Sequence, residues 1–106
     1  MKVEFFRHSV GGGELAGISK VFRSLFLTTG ETVDHFEEAL SKYLQTQYAV
    51  GLTSCTGALH LTLLAAGAKS GDEVITTPLS FVATANAILM AGARPVFVDV
   101  EPDTGN

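Results

Sequence analysis

Thr53-Ser54-Cys55-Thr56-Gly57-Ala58-Leu59-His60 joins a short run, Tyr48 to Thr53, to an almost wholly apolar one, Thr56 to Ala68. The first run reads as a short strand and the second as a helix, so the quoted residues form a strand-to-helix loop. The first turn of a helix leaves N–H groups unpaired and carries a partial positive charge, which makes it a seat for an anion such as phosphate. Ser54 and Thr56 add hydroxyl donors, while Gly57 and Ala58 let an anion approach the backbone. Ligands of open parallel sheets gather at the carboxyl ends of strands, where this loop lies. The same residues also suit a helix that binds nothing, with Ser54 or Thr56 serving only as its cap. Spacing leaves both readings open. The loop has neither the G-x-G-x-x-G nor the Walker pattern, so dinucleotide and nucleoside triphosphate sites lack their usual signature.

Downstream, Ser70-Gly71-Asp72 predicts a turn and Glu73 to Thr77 a second strand. Ser80 is placed to cap a second apolar helix running to Ala91, which Gly92 ends. Arg94-Pro95 then leads into a third strand, Val96 to Val100. The order is β-α-β-α-β, and near-continuous apolar strands joined by apolar helices predict a parallel sheet in an α/β fold. Upstream, Leu15, Ile18, Phe22 and Leu25 recur at helical steps, as do Val33, Phe36, Leu40 and Leu44. Thr28-Thr29-Gly30 separates these two helices. Glu31, Asp34, Glu37 and Glu38 fall early in the second, where the helix dipole favours them. Three parallel strands make a narrow sheet with unpaired edges, and Glu101 to Asn106 form a turn that leads no further. The pattern predicts one incomplete domain.

Composition narrows the classes of function. The 106 residues are 46% apolar and 17% charged, a balance that excludes disorder. A net charge of −4, with lysines and arginines spread singly, argues against a nucleic-acid partner. Cys55 is the only cysteine, so no internal disulfide can form and a reducing compartment is expected. Met1-Lys2-Val3-Glu4 lacks the apolar run of a signal peptide. Ala58 to Ala68 is too short to span a bilayer. A cytoplasmic protein without a membrane partner is expected.

The motifs in order resemble the DegT-type sugar aminotransferases. They are Thr28-Thr29-Gly30, Phe36-Glu37-Glu38, Ala49-Val50, Ser54 through Leu61, Gly71-Asp72-Glu73-Val74-Ile75, Pro78 with Phe81 through Asn86, Pro95 through Val100, and Pro102 through Asn106. No single piece is diagnostic; the series is. The resemblance implies the large domain of a pyridoxal-phosphate-dependent transferase fold, with an active site at a homodimer interface. It implies residues 1–46 as N-terminal helices with an active-site loop, and 47–106 as the N-terminal part of the cofactor-binding domain. It also implies pyridoxal 5′-phosphate as cofactor, a nucleotide-linked sugar as substrate, and glutamate or glutamine as amino donor. Thr56 and Gly57 would hold the cofactor phosphate, Phe81 would lie against the pyridine ring, and Thr28 and Thr29 would sit near the sugar. Gly57 stands where the family more often has alanine, and Leu79-Ser80 replaces a differently ordered pair. The family's Schiff-base lysine and pyridinium-pairing aspartate lie further along the chain. Lys2, Lys20, Lys42 and Lys69 fall in other contexts, so no catalytic residue is assigned here.

The remaining chemical side chains favour plain roles. His60 sits one turn after Thr56 in an apolar helix and reads as packed, while His8 and His35 read as surface residues. No pair among His8, His35, His60 and Cys55 has metal-ligand spacing. Cys55 has no sequence partner that would make it a nucleophile, and Asp99 reads as a turn cap. Two alternatives stand beside the aminotransferase: a sugar dehydratase of the same family, in which histidine replaces the lysine, and a non-catalytic α/β phosphate-binding module.

Overall fold

In a computed structural model, which describes residues 6–105, the chain divides into two compact units, Met1–Gly51 and Leu52–Asn106. The start Met1-Lys2-Val3-Glu4, read above for a leader, and the closing Asn106 lie outside the described residues.

The first unit holds two helices. α1 spans Gly12–Phe22 and carries Leu15, Ile18 and Phe22; Leu25 falls beyond its end. It begins where the Gly11 N–H donates to Glu14 Oε2 at 2.7 Å, which satisfies one of the helix's unpaired donors. That bond holds the Glu14 carboxyl below its ordinary range. α2 spans Glu31–Leu44, with Glu31 and Asp34 in its first turn and Lys42 in its last, the order the dipole favours. Glu38 and Lys42, one turn apart, pair at 2.7 Å. Gln45 ends α2 in the left-handed region at φ 55°, and the Thr46 N–H returns to Ser41 O at 3.0 Å.

The second unit is α3 (Cys55–Ala65), β1 (Glu73–Thr76), α4 (Ala83–Met90) and β2 (Arg94–Phe97). β1 and β2 pair in parallel from Glu73 opposite Arg94 to Thr76 opposite Phe97, with α4 as the crossover. A Glu73–Arg94 ion pair closes the start of the ladder. The Val98 N–H extends it by donating to Thr76 O at 2.9 Å. Gly92, at φ 82°, provides the left-handed turn that stops α4 and sends the chain into β2. Among the described residues the core is small: Ala87 and Ile88 of α4, with Ala91 and Ala93 just after it. Around them α4 packs against β1, β2 and α3.

Three local expectations change. Residues 48–53 form no strand. A strand needs a ladder partner, and here Tyr48 O accepts from Thr46 Oγ1 at 3.1 Å while the Gly51 N–H goes to Glu37 Oε1. These side chains take up backbone groups that a neighbouring strand would otherwise pair. The last strand starts at Arg94 rather than Val96, with Pro95 inside it opposite Val74. Ser80 does not cap α4: the helix begins three residues later, without a side-chain cap, and Ser80 Oγ lies 3.1 Å from Thr84 Oγ1 instead. No helix among the described residues is long and apolar enough to cross a membrane.

Candidate functional site

Ser54 is extended at φ −159°, ψ 154°, and its Oγ accepts from the Gly57 N–H at 3.0 Å. Ala58 N–H donates to Ser54 O at 3.1 Å, which closes the first helical turn. Of the two hydroxyls that the sequence left as capping candidates, Ser54 is therefore the cap. Gly57 makes room for it, since a Cβ there would come 3.3 Å from Ser54 Oγ. The cap uses the Gly57 N–H, so the donors still turned outward at the head of α3 are the Cys55 and Thr56 N–H groups. Thr56, the second residue of α3, brings its hydroxyl to the same end and is half-buried.

The charge around this helix start differs from that of the two helices before it. α1 has Glu14 in its first turn and α2 has Glu31 and Asp34, so both positive ends are already offset. α3 has no acidic residue there. Its partial charge and two N–H donors remain available to an external anion.

After the turn at residues 66–72 the chain enters β1, and Cys55 at the head of α3 and Thr76 at the end of β1 line one groove at the carboxyl edge of the sheet. The segment after β1, residues 77–82, carries Phe81, whose ring is 78% exposed although its carbonyl is fixed by the Thr84 N–H at 3.1 Å. An aromatic ring held on a fixed backbone and left open is available for stacking. A groove of about 260 Å3 runs beside this edge, lined by Cys55, Ala58, Thr62, Val74, Thr84 and Ala87. His60 is half-buried on α3, as the sequence suggested, while His8 and His35 are exposed. Asp99 Oδ1 accepts from the neighbouring Val100 N–H, at 2.9 Å.

Thr28 and Thr29 belong to the first unit, in the loop that enters α2. Thr29 lines a cleft of about 640 Å3 between the end of α1 and the start of α2, together with Lys20, Phe26, Gly30, Glu31 and His35; Thr28 is not among its lining residues. Sequence reasoning missed one contact outright. The half-buried Glu37 accepts from the Gly51 N–H at 2.6 Å, across fourteen residues, and no local pattern announces a pairing at that separation.

The sequence pattern of the DegT/DnrJ/EryC1/StrS aminotransferase family matches residues 9–106. The chain belongs to this aminotransferase family. It is 42% identical over 101 residues to an uncharacterized protein of Methanocaldococcus jannaschii, covering 95% of this chain and 26% of that protein. Among solved structures it is similar to a Streptococcus pneumoniae protein named as a sugar aminotransferase, in its PLP form. The TM-score is 0.88 at 35% identity, over 98% of this chain and 26% of that one. It is also similar to the aminotransferase TlmJ of Streptoalloteichus hindustanus, with a TM-score of 0.83 at 38% identity over 99% of this chain and 29% of that one. The chain thus spans about a quarter of the length of these family members.

Proposed function

We propose that this chain supplies the cofactor-phosphate seat and a ring-stacking residue of a pyridoxal-phosphate-dependent aminotransferase. The enzyme transfers an amino group from glutamate or glutamine to a keto group of a nucleotide-linked sugar, and it works as a homodimer. The observation that carries the reading is the head of α3: a Ser54-capped turn with two outward N–H groups, the Thr56 hydroxyl and no acidic neighbour. Family membership and the PLP form of the Streptococcus pneumoniae relative support the choice of anion.

The residues fit a phosphate monoester. Cys55 and Thr56 N–H groups and Thr56 Oγ1 donate to its oxygens, and the helix dipole offsets its charge. Gly57 contributes by leaving space for the Ser54 cap rather than by donating its own N–H, which Ser54 Oγ already holds. Phe81 fixes the plane of the ring by stacking, worth on the order of 0.5–1.5 kcal/mol beyond burial. Thr28 and Thr29 contribute to the sugar side. When bound, pyridoxal phosphate supplies the electron sink for moving the amino group. The residues assigned here bind and orient it; none of them moves a proton.

Thr56→Ala tests the reading. It removes one hydroxyl donor without touching the cap, and pyridoxal phosphate affinity is expected to fall by about tenfold to a hundredfold, the size of one hydrogen bond to a charged group. Helix content should stay constant. Unchanged affinity would remove Thr56 from the site.

A further inference from the structure

We infer that Thr84, through its hydroxyl contact with Ser80, is a positioning residue that aims Phe81 for ring stacking; the inference rests on the reading of Phe81 as the stacking residue. Ser80 has the identity of a helix cap, yet α4 begins without a side-chain cap. Its Oγ lies instead 3.1 Å from Thr84 Oγ1. The Thr84 N–H donates to Phe81 O at 3.1 Å. Thr84 therefore grips the chain at two points, the residue before Phe81 and the carbonyl of Phe81 itself. A third tie stands at the other end of the segment, where the Leu79 N–H donates to Thr77 Oγ1 at 3.0 Å, one residue past β1. Thr77 and Thr84 are half-buried, whereas Ser80 is exposed.

Packing does not hold the Phe81 ring, since the residue is 78% exposed. Residues 77–82 have neither helix nor strand to order them. The ring is aimed through its own backbone, and these three ties restrict that backbone. Ordering it before a ligand arrives removes an entropy cost that binding would otherwise bear. Breaking the hydroxyl pair leaves the Thr84 N–H on Phe81 O but frees the Ser80 side, so the direction in which the ring leaves the chain spreads. A bare anion at the head of α3 has no ring to stack, and its binding does not depend on the pair. That difference separates aiming the ring from general order in the second unit.

The test uses the whole 106-residue chain, with pyridoxal 5′-phosphate and inorganic phosphate as probes and their affinities read from the Thr56 and Ala58 amide shifts. Thr84→Val removes the hydroxyl and keeps the N–H, while Ser80→Ala removes the exposed partner. Each is expected to weaken pyridoxal 5′-phosphate binding by about threefold to tenfold, the size of one neutral hydrogen bond, and to leave inorganic phosphate binding as it was. The double variant should lose no more than either single one, because both remove the same contact. Thr84→Ser keeps the hydroxyl and should bind as the wild type does. The chain has no tryptophan, so Phe81→Trp provides a reporter whose fluorescence anisotropy should drop when either hydroxyl is removed. Wild-type pyridoxal 5′-phosphate affinity in both single variants, losses that add, or an equal fall in phosphate affinity would overturn the inference. If Thr84→Val folds poorly, Ser80→Ala decides, since its side chain is exposed. A wild-type chain that binds neither probe would count against the anion seat alone. The anisotropy series then still decides, and a constant value across the variants overturns the positioning role.

Discussion

Substitutions at Ser54 separate its two parts, capping α3 and standing beside an anion. Ser54→Ala removes the oxygen that the Gly57 N–H reaches at 3.0 Å, and loss of such a cap costs about 1 kcal/mol of stability, within a range of roughly 0.5–2. Ser54→Asp keeps an acceptor at the same place, since aspartate caps as well as serine does, and its charge suits the positive end of α3. Stability should therefore hold or rise slightly. The same charge faces the phosphate. At about 5 Å in water-like surroundings two unit charges repel by on the order of 0.8 kcal/mol, and a phosphate near its dianion roughly doubles that. A loss of about tenfold in pyridoxal phosphate affinity follows, at full or improved stability. Urea unfolding followed by circular dichroism gives the first quantity, and titration of the cofactor gives the second. Ser54→Asp binding the cofactor as tightly as wild type would refute the placement of the phosphate at this turn. Ser54→Ala unfolding at the wild-type urea concentration would refute the cap.

The other expectations are simpler. Phe81→Ala should leave stability within about 0.5 kcal/mol, because the ring is 78% exposed, yet weaken cofactor binding severalfold; the same urea and titration experiments read both. Ile88→Ala, at a site only 3% exposed, should destabilise the second unit by about 2–4 kcal/mol, visible as faster amide exchange in β1 and β2. Lys42→Met should raise the Glu38 carboxyl titration toward its ordinary value of 4.5, since the hydrogen bond from Lys42 and then its charge hold it down. The sign follows: with Glu38 depressed in the folded chain, its contribution is present above the unfolded value and fades as pH falls through the folded one. Carboxyl carbon shifts followed across an acid titration check this.

The sequence by itself determined the elements whose signals are local. The three- and four-residue steps of α2, the Gly92 stop of α4 and the apolar β1 with its preceding turn all depend on neighbours in the chain, and each formed as read. The strand-to-helix loop was legible for the same reason, since a hydroxyl before an apolar helix has few uses. Which hydroxyl caps was not. Ser54 takes that role because its extended backbone puts Oγ 3.0 Å from the Gly57 N–H, a distance that only coordinates give. Tyr48 to Thr53 had strand composition but no strand formed, because pairing is a property of two segments and composition describes one. Ser80 had the right identity for a cap but lies three residues ahead of the helix it was expected to start. The Glu37–Gly51 bond belonged wholly to tertiary structure: it joins groups fourteen residues apart, and nothing in either residue's neighbourhood prefers the other until the chain has turned back on α2.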